Sequence, residues 1–177
     1  MPRKTRGYSL YELLVTAMLT SLLAVIAVPN YEKIVANGRI RTEVDALFHA
    51  VHLARKESIV RRTAVAICPS SNGSSCSAGV DWSGGWLMFE NNDLDEPPRI
   101  DPGEAVLRSH VSDPDIRITG NRRGFTLRAI HRRATNGTLV VCDRRNRAAP
   151  RAVVVSYTGR PRIALKRPNG EPYGCID

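Results

Sequence analysis

Charged side chains are missing from one long stretch of this 177-residue chain, and acids are all but missing from another. From Tyr8 to Val28 the one charged residue is Glu12, and between Arg117 and Arg167 the one acid is Asp143. The marks of catalysis are missing too. There is no Ser/His/Asp order, phosphate-cradling glycine loop or metal motif, and His110 and His131 stand alone in sequence. Nothing therefore points to an enzyme or calls for a cofactor. The four cysteines include no Cys-x-x-Cys pair and have no histidine nearby, which argues against zinc. His49 and His52 sit at i and i+3, but two ligands alone make a poor metal site, and they read as solvated helix histidines. Internal repeats and low-complexity tracts are absent, which excludes repeat architectures and leaves room for one globular domain.

What is present starts with the uncharged run. Tyr8 to Val28 is 21 residues, about 31 Å of helix, enough to cross a hydrocarbon core of ~30 Å. Arg3, Lys4 and Arg6 precede it. Basic residues on that flank hold the N-terminal end in the cytoplasm and place everything after Val28 outside. Pro29 follows at once, where it would kink or weaken the helix. An ordinary secretory signal is the competitor, but its apolar region spans only about 7–15 residues and ends at an A-x-A-like site. Glu12 is the oddity, because an ionised carboxylate inside a membrane costs several kcal/mol unless it sits near the interface or finds a partner. Two readings stay open: an interfacial position, or pairing with a cation from another subunit.

The residues Gly7-Tyr8-Ser9-Leu10-Tyr11-Glu12 resemble the prepilin motif of the type IV pilin family, which includes the pseudopilins of type II secretion. The resemblance implies that Gly7 precedes the peptidase cut, that Tyr8 is the new N-terminus, with its methylation left open, and that Glu12 is the acidic fifth mature residue. Pro29 falls where these helices commonly carry proline. Tyr8 for Phe and Ser9 for Thr are conservative departures. The expected organisation is a leader (1–7), a membrane and pilus-core helix (8–28), its amphipathic half (29–62) and a globular β domain (63–177). Implied partners are the prepilin peptidase, the bacterial inner membrane before assembly and other pilin subunits in a cell-surface pilus.

After Pro29 the helix is expected to resume and run to about Arg62. Ile40, Val44, Leu47, Val51 and Ala54 form one apolar stripe that packs on a sheet. Arg39, Arg41, Glu43, Lys56 and Glu57 fall largely off it, and Asn37-Gly38 marks a weak point. Eight β-prone runs follow: Ala64–Cys68, Gly85–Glu90, Ala105–Val111, Ile116–Thr119, Phe125–Ile130, Thr138–Cys142, Ala152–Tyr157 and Arg162–Lys166. One long helix and eight short strands predict an α+β domain with a largely antiparallel sheet. The acidic, proline-rich segment Asn91–Gly103 reads as an exposed loop. All four cysteines fall in the outside part, where an even count reads as two disulfides with three possible pairings. The short, flexible Cys68–Cys76 loop can close on itself, which leaves Cys142 with Cys175 and pins the C-terminus to a strand.

The soluble part is similar to GspH/FimT-type minor pilins. The matching residues are the Cys68–Cys76 loop, the run from Asp81 through Trp82 and Trp86 to Phe89, and Val153–Ser156 leading to Gly159-Arg160-Pro161-Arg162. Both tryptophans read as core packing. Charge separates the two halves of the chain. Tyr8–Pro98 carries 7 basic and 10 acidic residues, whereas Arg99–Asp177 carries 16 and 7, with Arg at 15 of the 16 cations. Such a field needs a polyanion or serves solubility, and Arg forks onto phosphate. In an extended backbone Arg160 and Arg162 project to one side. Resemblance to FimT-type minor pilins of naturally competent bacteria implies sequence-independent DNA binding through Gly159, Arg160 and Arg162. Arg122, Arg123, Arg144, Arg145, Lys166 and Arg167 are expected to contribute. The alternatives are a hairpin turn in a basic protein, a GspH-like pilin that only primes assembly, and an adhesin for another anionic surface.

Overall fold

The computed structural model describes residues 7–129 and 133–175. The basic leader residues Arg3, Lys4 and Arg6, the strand residue Ile130, His131 and Arg132 lie outside the described residues. The chain divides into two units, Met1–Val35 and Ala36–Asp177. Helix α1 (Leu10–Arg61) contributes to both.

In the first unit Ser9 starts the helix. Its hydroxyl oxygen accepts the Glu12 N–H at 3.2 Å and its carbonyl accepts the Leu13 N–H. Ser-x-x-Glu is a capping-box pattern, so Glu12 also sits where a negative charge favours the helix dipole. Leu10, Leu14, Leu22 and Leu23 are exposed. The hydroxyls of Thr16, Thr20 and Ser21 donate back to the carbonyls three residues earlier, at 2.8–3.0 Å. These three hydroxyls are thus satisfied within the helix, as an apolar medium requires. Pro29 lies inside α1 and does not end it. A proline removes one ladder bond, and the Asn30 side chain donates to the Ile26 carbonyl at 3.0 Å beside it.

In the second unit α1 runs unbroken through Asn37-Gly38. Glycine costs a helix roughly 1 kcal/mol relative to alanine, which is small beside the full burial of Ala36 and Ile40 on either side. The predicted stripe is buried at all five positions, together with Ala50 and Ser58. Glu43 corrects the sequence reading, being 3 % exposed. It accepts the Asp113 N–H at 2.9 Å and pairs with His110 Nε2 at 3.0 Å, which offsets the cost of burying it. The helix stops at Arg62, whose φ of 57° is left-handed.

The expected antiparallel pairing holds, and among the described residues the strands form two sheets of four. The first has the order β3 (Val106–His110), β2 (Trp86–Asn91), β1 (Ala64–Pro69), β5 (Phe125–Leu127). The second has the order β4 (Ile116–Gly120), β6 (Gly137–Asp143), β7 (Arg151–Val155), β8 (Pro161–Ala164). Both lay their inner faces on the helix stripe in one core that includes Ile67, Phe125, Leu139 and Val153. Trp82 and Trp86 belong to it, as expected. β1 is buried at every position because its outer face is covered as well, with Cys76 and Ile100 packed over Cys68, Leu87 and Phe89. The disulfides are Cys68–Cys76 and Cys142–Cys175. The second holds the C-terminal segment against β6, where Tyr173 packs on Ala152 and Ala164.

Candidate nucleic-acid interface

The β7–β8 turn is built around one glycine. Gly159 has φ +70°, and a Cβ there would stand 2.9 Å from Leu127 Cδ1 and 3.4 Å from Ala134 Cβ. Only glycine fits both the left-handed backbone and the close approach. Its N–H donates to the Ser156 carbonyl at 2.8 Å, and the Ser156 N–H donates to the Arg160 carbonyl at 3.1 Å. The second bond adds a rung to the ladder beyond Val155 and Pro161. Arg160 therefore continues the strand, and alternation follows: Arg160 exposed, Pro161 buried, Arg162 exposed. Residues two apart on an extended backbone carry their side chains to one side.

Two further arginines meet this turn, and sequence order does not reveal either. Arg55 of α1 donates through Nη1 to the Thr158 carbonyl. Arg133 lies over the Tyr157 ring, 6.0 Å from its centroid. The bond from the Ala134 N–H to the Tyr157 carbonyl, 2.9 Å, brings Arg133 there. Arg128 joins the group by donating to the Arg133 carbonyl and to Glu96. Arg122 and Arg123 lie at the same end of the second sheet, in the exposed loop after β4. The Arg122 carbonyl accepts the Trp82 indole N–H at 3.2 Å, which fixes the loop, while its Nε donates to the Asn136 carbonyl.

The remaining candidates are elsewhere. Arg144 and Arg145 follow β6, and Lys166 and Arg167 follow β8, both at the opposite end of the second sheet by strand register. Arg39, paired with Asp113 and Asp115, marks that end on α1, and Arg55 marks the turn end. Sixteen residues of helix, about 24 Å, separate them. The nine predicted residues are thus two groups.

Acids accompany the far group. Asp143 is buried and held by Arg147, whose Nε and Nη2 donate to its two oxygens at 3.2 and 3.1 Å. Those bonds, with support from backbone N–H groups, hold its carboxyl below the usual range. The exposed Asp81 is also lowered, first by hydrogen bonds from Ser83 and then by the charges of Arg144 and Arg117. Arg144 and Arg117 thus share their field with a carboxylate. Among the described residues, neither Arg160 nor Arg162 has a carboxylate partner.

Residues 43–159 match the model of the type II transport protein GspH family, about two thirds of the chain. The chain belongs to the GspH family. No curated protein matches it in sequence. Two crystal structures of the Pseudomonas aeruginosa type IV minor pilin FimU are similar in fold at 18 % identity. One has a TM-score of 0.53, covering 79 % of this chain and 97 % of that one. The other has 0.50, covering 70 % and 91 %. GspH/FimT-type minor pilins are therefore the group to which this α+β chain is assigned, a family of structural pilins rather than of enzymes. As a GspH-family pilin it assembles with other pilin subunits, and its apolar N-terminal helix fits membrane anchoring. The matched span ends at Gly159, so Arg160 and Arg162 lie outside it.

Proposed function

We propose that this GspH-family chain is a minor pilin that captures extracellular DNA, without regard to sequence, for uptake in natural transformation. The observation that carries the reading is the turn itself. A glycine-dependent ladder end presents Arg160 and Arg162 side by side, with Arg133 beside them and no carboxylate partner for either of the pair among the described residues. Arginine at such spacing matches phosphate, and phosphate contacts carry no base information. Arg122 and Arg123 extend the field at the same end. Arg144, Arg145, Lys166 and Arg167 add to it from the far end, diluted by their acids. The prepilin peptidase cuts after Gly7, and the protein waits in the inner membrane with its C-terminal domain outside. Pairing of Glu12 with a neighbour's cation draws it into the fibre.

A second reading, an assembly pilin that binds no DNA, has its own support in the exposed apolar face of the first unit. Binding of the full chain in detergent to duplex DNA over a salt series separates the two. DNA capture requires affinity that falls steeply with salt and is on the order of micromolar or weaker, as for a single non-specific module. A parent protein with no measurable affinity at low salt leaves only the assembly reading.

A further inference from the structure

The outer face of the second sheet holds a pocket of about 340 Å³ between β4, β6 and the C-terminal segment. Its walls include Val140, Tyr173 and the Cys142–Cys175 bridge, and its polar groups are Thr119, Thr138 and Asn121. Arg167 stands at its edge, 5.9 Å from the centroid of the Tyr173 ring. Register brings other cations onto the same face, since residues directly opposite across strands share a side. Arg162 is opposite Val154, and Val154 is opposite Thr138 of the pocket wall. At about 4.8 Å per strand, Arg162 is therefore roughly 10 Å from Thr138. Arg117 is directly opposite Cys142. Arg122 follows Asn121 in the chain.

An apolar, aromatic-walled recess with a few hydrogen-bonding groups, bordered by arginines, matches the two parts of a nucleotide. The base needs a dry slot with polar groups at its edge, and the phosphates need cations outside it. A duplex cannot offer a base to such a slot without unstacking it, whereas a single strand can.

We propose that this pocket receives one base of single-stranded DNA, with Arg162 and Arg167 on the flanking phosphates. The proposal rests on the DNA reading above and adds to it the form of the nucleic acid. A strand held this way crosses the second sheet from the Gly159 turn toward Arg167, which gives the two basic groups a common ligand.

The test compares oligothymidylate with a duplex of equal length by fluorescence anisotropy, using the full chain in detergent micelles. One base held in an aromatic slot is worth roughly tenfold, within the 1–3 kcal/mol seen for base stacking on proteins. The parent should therefore prefer the single strand about tenfold at matched salt. Thr138→Trp fills the pocket from an outward-facing position and should abolish that preference while duplex affinity stays. Val140→Phe, a smaller intrusion, should reduce it, and thermal unfolding shows that each variant is folded. Duplex binding by the parent without a single-strand preference overturns the pocket and leaves DNA capture standing, as does a folded Thr138→Trp that keeps the preference. Absence of binding to either form removes both.

Discussion

At the turn end of the second sheet, Arg160 and Arg162 flank a buried proline, and among the described residues neither meets an acid. At the other end Arg144 and Arg145 follow Asp143, and Asp81, Asp113 and Asp115 stand in the same neighbourhood. Both ends carry adjacent arginines and would look alike in a count of charges. They differ in what the surrounding backbone does. The turn fixes its arginines through main-chain bonds to Ser156 and Tyr157, and among the described residues the guanidinium groups of Arg160 and Arg162 take no part in the hydrogen-bonding of the fold. The far end spends one arginine, Arg147, on satisfying a buried carboxylate. A cation is freest to serve a ligand where the fold does not already neutralise it.

The largest effect on stability should come from the far end. Replacing Cys142 and Cys175 by Ser opens a loop of 33 residues, about 3.7 kcal/mol by chain entropy, against about 2.5 kcal/mol for the 8-residue separation of Cys68 and Cys76. Denaturant unfolding should show that order. Duplex affinity measured well below the transition should change little, because the turn is held by bonds to α1 and to the segment before β6 rather than by the C-terminal segment. A collapse of duplex binding in this variant would mean that the two ends are one site.

Gly159→Ala should cost about 1–2 kcal/mol for the left-handed backbone alone, with more from the contact against Leu127. Unlike the cysteine change, it should lower stability and DNA affinity together, since it disturbs the ladder end that aims Arg160. Thermal unfolding and anisotropy on one preparation measure both.

Much of this was legible in the sequence, for physical reasons that also mark where legibility stops. The stripe from Ile40 to Ala54 follows the helix period, and helix burial depends on that period alone. Glu43 sits at i+3 from Ile40, so the same spacing puts it on the buried face; its charge argued for solvent, and its partner His110 lies 67 residues away. The eight strands were visible as β-prone runs, but their division into two sheets depends on pairings across distant segments, such as β1 with β5. The Gly-Arg-Pro-Arg turn could be read locally. Arg133 and Arg55 could not, because one main-chain bond from Ala134 and one side chain on α1 bring them to the turn.

A smaller effect concerns acid. The folded-state carboxyl of Asp143 is depressed by Arg147, so its contribution is fully present above the ordinary carboxylate value near pH 4 and is lost as pH falls through the lower folded value. Asp143→Asn should therefore be less stable than the parent at pH 6, and the gap should narrow below about pH 4. Unfolding midpoints at both pH values measure this. A gap that widens in acid would remove Arg147 as the holder of that charge.

The measurement closest to the central claim compares Arg160→Gln/Arg162→Gln with Arg144→Gln/Arg145→Gln, each titrated with duplex DNA from low to moderate salt. Each pair removes the same formal charge. If the turn end carries the phosphates, its variant loses about 1.8 from the magnitude of the log-affinity salt slope, at roughly 0.9 per contact. The far-end variant loses clearly less, and both unfold at the parent's temperature. Equal losses from the two ends would contradict the account, because binding would then follow total charge and not the turn.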